Sequence, residues 1–112
     1  MDQRLIKALE ASKNLESLNT IKAQIFEKFE EKLQIFYNGG EFEAGIDLLR
    51  TVGLYISKDA TRNIILDQNN IPIVVDDLEV FYNLIWNTYQ TALLEYEYEY
   101  SNIVSTLRNK SV

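Results

Sequence analysis

The chain has 112 residues, 46% apolar and 25% charged, with a net charge of −6 and neither cysteine nor histidine. That balance belongs to a folded chain rather than a disordered one, and the length suits a single domain over residues 1–112. The two missing residue types exclude disulfides, thiolate and imidazole catalysis and the common zinc sites.

The opening Met1-Asp2-Gln3-Arg4-Leu5 runs into a polar-interrupted helical pattern and has no signal-peptide core. No stretch approaches the roughly 20 apolar residues of a membrane span, so a soluble, cytoplasmic protein without membrane contact is expected. The charge is uneven. Residues 76–112 hold six acidic and two basic groups, whereas residues 1–40 hold six of each. An acidic surface repels phosphate backbones, so no direct contact with nucleic acid is expected.

Residues 2–37 contain neither Gly nor Pro, and Leu5, Leu9, Leu15, Leu18, Ile21, Ile25, Phe29, Leu33 and Phe36 recur mostly at gaps of three and four. One long helix fits this spacing. Its weakest stretch is Ser12 to Thr20, where Ser17 or Asn19 offers a cap for a fresh helix. Asn38-Gly39-Gly40 then reads as the helix stop, because Gly and Asn tolerate the left-handed conformation that closes a helix. A second helix is predicted over 41–56, with Glu41 and Glu43 at its positive end and Gly45 and Gly53 near its apolar face.

Two β-branched runs, 63–67 and 71–75, flank an Asn-rich turn and predict a short β-hairpin. Pro72 lacks an N–H, so that side of its strand should stay unpaired. The hairpin carries more apolar residues than one face needs. Ile71 and Ile73 are therefore candidates for contact with a partner or a second subunit, against the plainer reading that the hairpin covers its own helices.

Asp76 or Asp77 should cap the last helix, 76–109. Phe81, Ile85, Tyr89, Ala92, Tyr96, Tyr100, Ile103 and Leu107 line one face, and Leu78, Leu84, Trp86, Leu93, Leu94 and Val104 lie beside it. The apolar surface is too broad for one neighbour. The fold expected is thus mainly α, with long antiparallel helices over 2–37, 41–56 and 76–109 and an inserted hairpin, forming an elongated helical hairpin or bundle.

Within the last helix, Glu95-Tyr96-Glu97-Tyr98-Glu99-Tyr100 sets Glu95 and Glu99 as a repulsive i,i+4 pair, a cost that a cation would relieve. Glu27, Glu30 and Glu31 on the first helix, with Asp76 and Glu79 near the last, offer a candidate set of oxygens for a hard cation, although such spacings are ordinary on exposed helices. Glu27-x-x-Glu30 resembles one half of the acidic site of all-α nucleoside triphosphate pyrophosphohydrolases, but Asp76-x-x-Glu79 reverses the order of the other half and the family is not assigned. No cofactor or metal is expected.

The leading expectation is a non-enzymatic, self-associating structural or adaptor protein, a homo-oligomer whose seam involves Phe81, Ile85, Tyr89, Tyr96, Tyr98 and Tyr100. The size and the Asn/Ile/Tyr-rich composition also suit a viral or phage accessory or assembly protein, located within a virion. The alternative is a small acidic protein that binds a basic site of a partner protein through Glu95, Glu97 and Glu99, as an inhibitor or DNA mimic does. A carboxylate-metal hydrolase is the remote third reading.

Overall fold

A computed structural model describes the backbone of residues 3–110 and the side chains of residues 16–105. The elements in order are α1 (Gln3–Lys32), β1 (Gln34–Tyr37), β2 (Gly40–Glu43), α2 (Ile46–Ser57), β3 (Asn63–Leu66), β4 (Pro72–Val75) and α3 (Leu78–Lys110). The molecule is elongated, 70 × 25 × 19 Å. Two small hairpins and α2 gather around the first half of α3 as a head, and α1 runs antiparallel to the second half as an arm. The side chains of Leu5, Leu9, Leu15 and Leu107, and the predicted tail from Arg108, lie outside the described side chains.

Two boundaries differ from the sequence expectation. The first helix does not reach residue 37; it ends at Lys32 and the next residues form a second, unpredicted hairpin, with Ile35 opposite Phe42 and Tyr37 opposite Gly40. Asn38 and Gly39 both take positive φ, 47° and 80°, the geometry of the tight hairpin turn that Asn-Gly favours. The helical spacing of Leu33 and Phe36 competes here with strand alternation. Alternation wins because Ile35, Gly40, Phe42 and Ala44 all face the core while Glu41 and Glu43 do not. The second helix accordingly starts at Ile46, not 41, with Gly45 outside it as the N-cap. Across Ser12–Thr20, α1 is continuous.

The predicted hairpin is present as β3 and β4, paired from Asn63–Val75 to Leu66–Pro72. Its loop is built on Asp67. That buried carboxylate, 5% exposed, accepts from the N–H groups of Asn69 and Ile71 at 2.9 Å and of Glu41 on β2 at 3.0 Å. Gln68 N–H returns a bond to Glu41 O at 2.9 Å. One aspartate thus closes its own loop and ties the two hairpins together. Three N–H donors, with that of Glu41 foremost, hold its pKa below the ordinary aspartate value against the effect of burial. Close contact elsewhere seals the junction: a Cβ on Gly40 would lie 2.6 Å from Ile73 Cγ1.

The core is formed by Ile35, Phe42 and Ala44 of the first hairpin, Leu49 and Val52 of α2, Ile65, Ile73 and Val75 of the second hairpin, and Leu78, Phe81 and Ile85 of α3. Phe81 is its centre, with the rings of Tyr37 and Phe42 at 4.8 and 5.1 Å. Burying such a ring contributes roughly 1.5–3 kcal/mol. Asp77 caps α3 by accepting from Val80 N–H at 3.1 Å, and Asp76 instead meets Arg62 at 3.1 Å. Gly53 of α2 faces Tyr82 of α3, but a Cβ there would lie 3.6 Å from the Tyr82 ring, an ordinary contact, so the helix approach does not require glycine at this position.

Candidate interaction surface

The arm has two unlike flanks. On one, Lys28 Nζ donates to Glu99 Oε1 at 2.7 Å and Lys32 pairs with Glu95. Each helix supplies an i,i+4 pair, so the repulsion between Glu95 and Glu99 is relieved by two cations of α1. Donation by Lys28 lowers the Glu99 pKa and raises that of Lys28. On the other flank the rings of Phe26, Phe29, Tyr89 and Tyr96 lie 5.1–6.4 Å apart between centroids. Tyr96 stacks on Tyr100 at 6.2 Å, and Lys22 sits 5.3 Å from the Tyr100 ring centre.

Two helices cannot enclose this much apolar surface. Phe26, Trp86 and Tyr100 remain exposed at the aromatic side. A further stripe, Val80, Leu84, Asn87, Thr91, Leu94 and Tyr98, follows gaps of four and three along α3 and is exposed throughout. Leu94 and Tyr98 are 70% and 67% exposed. Beside them a shallow groove of about 460 Å³, lined by Thr88, Thr91 and Ala92, ends at Lys32 and Glu95.

No protein family, curated protein or solved structure matches this chain. The reading of its surface therefore rests on its own geometry.

The predicted interaction residues fall into three groups. Phe81, Ile85 and Ile73 are buried in the chain's own core, and Tyr89 and Tyr96 are half-buried. Glu95 and Glu99 hold lysines of α1, and Glu97 accepts from Ser101 Oγ at 2.7 Å. Only Tyr98, Tyr100 and Ile71 present substantial apolar surface to solvent. Sequence reasoning missed Lys28 and Lys32 as members of the surface; the matching i,i+4 spacing of Lys28/Lys32 and Glu95/Glu99 is the signal that pairs them.

Among the described residues, no group of three or more acidic side chains is placed to hold a metal ion, so Glu27, Glu30, Glu31, Asp76 and Glu79 are not brought together for that purpose. No helix among them is long and apolar enough to cross a membrane.

Proposed function

We propose that the protein is a non-enzymatic, self-associating structural or adaptor subunit whose arms pair between copies into a four-helix bundle. The observation that carries this reading is the exposed Leu94–Tyr98 patch on a helix pair already packed along its other side. Exposed apolar patches on long helices favour association, because burying each such side chain is worth roughly 1.5–3 kcal/mol. The neighbouring groove of Thr88, Thr91 and Ala92 supplies small residues against which a second arm approaches closely. Docking of a basic partner on the Glu/Tyr strip draws less support, since Glu95 and Glu99 already hold Lys32 and Lys28.

Sedimentation velocity across micromolar concentrations tests the proposal. The expected species is a dimer or higher oligomer that becomes monomeric in a Leu94→Glu, Tyr98→Glu variant with unchanged helicity. A wild-type chain that stays monomeric at about 100 micromolar, a concentration well above a functional dimer constant, rules it out.

A further inference from the structure

A second surface lies in the head, away from the arm. The cleft between β3 and α2 has a volume of about 590 Å³ and is lined by Phe42, Ile46, Thr51, Tyr55, Ile64 and Leu66, among others. That size is within the range of pockets that hold ligands. β3 lines it and β4 does not, so the strand's open edge borders the cleft.

Three hydrogen bonds establish which backbone groups of the hairpin face outward, two along the β3 edge and one along the β4 edge. Asp67 N–H donates to Ile71 O across the hairpin at 2.9 Å, and alternation along the ladder then turns the N–H and C=O of Leu66 and Ile64 away from β4. The same alternation turns Val74 O outward, where it accepts from Asn38 Nδ2 at 2.9 Å. It also turns Ile64 N–H outward, where the strand's own Asn63 Oδ1 takes it at 2.8 Å. Among the described residues, Leu66 N–H, Leu66 C=O and Ile64 C=O have no protein partner. Pro72 sits opposite Leu66, where its missing N–H costs the ladder nothing.

The side chains at this edge are 57% and 60% exposed for Ile64 and Leu66. Neither a charge nor a proline blunts the strand Asn63–Leu66, as exposed edges usually require. Charged residues around the cleft are all acidic: Glu43, Asp47 and Asp67. Asp67 is spent on three amides, which leaves Glu43 and Asp47, both exposed, to meet a cation.

We propose that this cleft accepts an extended peptide segment of a partner protein, which adds to β3 as a third strand. Its backbone pairs with the N–H and C=O of Leu66 and with the C=O of Ile64, its apolar side chains at alternate positions enter the cleft, and a lysine or arginine lies beside Glu43 and Asp47. Main-chain pairing supplies affinity in such strand addition, and alternate side chains supply selectivity.

The probe is a fluorescein-labelled synthetic hexapeptide alternating valine and lysine, titrated with the full chain and followed by polarisation. Three controls accompany it: an alternating valine and glutamate peptide, and the lysine peptide N-methylated at every second amide in each of the two possible phases. The expected result is saturable binding that weakens about tenfold or more for the glutamate peptide and for one N-methylated phase only. Leu66→Pro, which removes the free edge donor without touching the β3–β4 ladder, and Asp47→Lys, which leaves the backbone alone, should each weaken binding about tenfold. The arm variant with Leu94→Glu and Tyr98→Glu should bind as the wild type does, which separates this site from self-association. Absence of binding at about 1 mM peptide, or equal binding of both N-methylated phases, overturns the proposal. So does a dimer that dissociates in Leu66→Pro and resists the peptide, because a second copy is then the occupant of the edge.

Discussion

Lys28 of α1 and Glu99 of α3, 71 residues apart in sequence, are joined by a 2.7 Å contact, and the Lys32–Glu95 pair repeats it one helical turn away. These two ion pairs match the antiparallel register in which Phe29 packs on Tyr89 and Tyr96. Lys28→Glu should therefore lower the thermal midpoint by roughly 2–4 °C at low salt, and adding Glu99→Lys should restore it. The difference should shrink at about 0.5 M salt, as screening requires. Calorimetry of the two variants checks both statements.

The same pair predicts a pH window. Glu99 is depressed below its ordinary value of 4.5, so its contribution is present above that value and lost as pH falls through the lower folded value. Lys28 is raised above 10.5, so its contribution is complete below that value and lost as pH rises through the higher folded one. Arm helicity followed by far-UV circular dichroism should be greatest between about pH 5 and pH 10.

Asp67 makes a sharper prediction, because it is buried and its three donors have no other acceptor in place. Asp67→Ala orphans them and should lower the thermal midpoint by roughly 10 °C. Its folded pKa is depressed below 3.8, so the stability it confers is present above that value and lost as pH falls through the folded value. Asp67→Asn, with one acceptor oxygen, should cost less and flatten the acid side of a midpoint-versus-pH curve.

Adjacent glycines should fail for different reasons. Gly40→Ala sets a Cβ against Ile73 and Phe42 in the core, costing about 1–3 kcal/mol by overpacking. Gly39 has open space around it but a φ of +80°, so Gly39→Ala costs about 1–2 kcal/mol of backbone strain only. Urea denaturation distinguishes them when Ile73→Ala is added: its effect should be less than additive with Gly40→Ala and fully additive with Gly39→Ala.

The end of α2 carries the opposite opportunity. Asp59 holds φ at 62°, while Asp59 N–H and Ala60 N–H close the helix on Ile56 O and Tyr55 O at 3.0 and 3.1 Å. Glycine is the usual residue at this position. Asp59→Gly should raise stability by about 1 kcal/mol, measured by the same denaturation.

Local spacing made much of the fold legible. The helical stripe of Phe81, Ile85, Ala92 and Tyr96, the β-branched runs around Gln68-Asn69-Asn70 and the Asp77 cap each express a preference that neighbours in sequence decide. Residues 33–43 were not legible in that way. Leu33 and Phe36 satisfy a helical period, and Ile35, Phe42 and Ala44 satisfy a strand period just as well. Packing under Phe81, with Asn38 and Gly39 free to take positive φ, selected the strand.

The surface follows the same division. Periodicity alone announced that α3 carries more apolar surface than one neighbour covers, and that Glu95 and Glu99 repel each other. Which apolar residues stay outside is a property of the tertiary structure: Phe81, Ile85 and Ile73 are covered by elements distant in the chain, whereas Leu94 and Tyr98 are not. Lys28 and Glu99 show why. A charge type can be read at each position, but a 2.7 Å contact across 71 residues exists only once the head has folded and turned α1 back along α3.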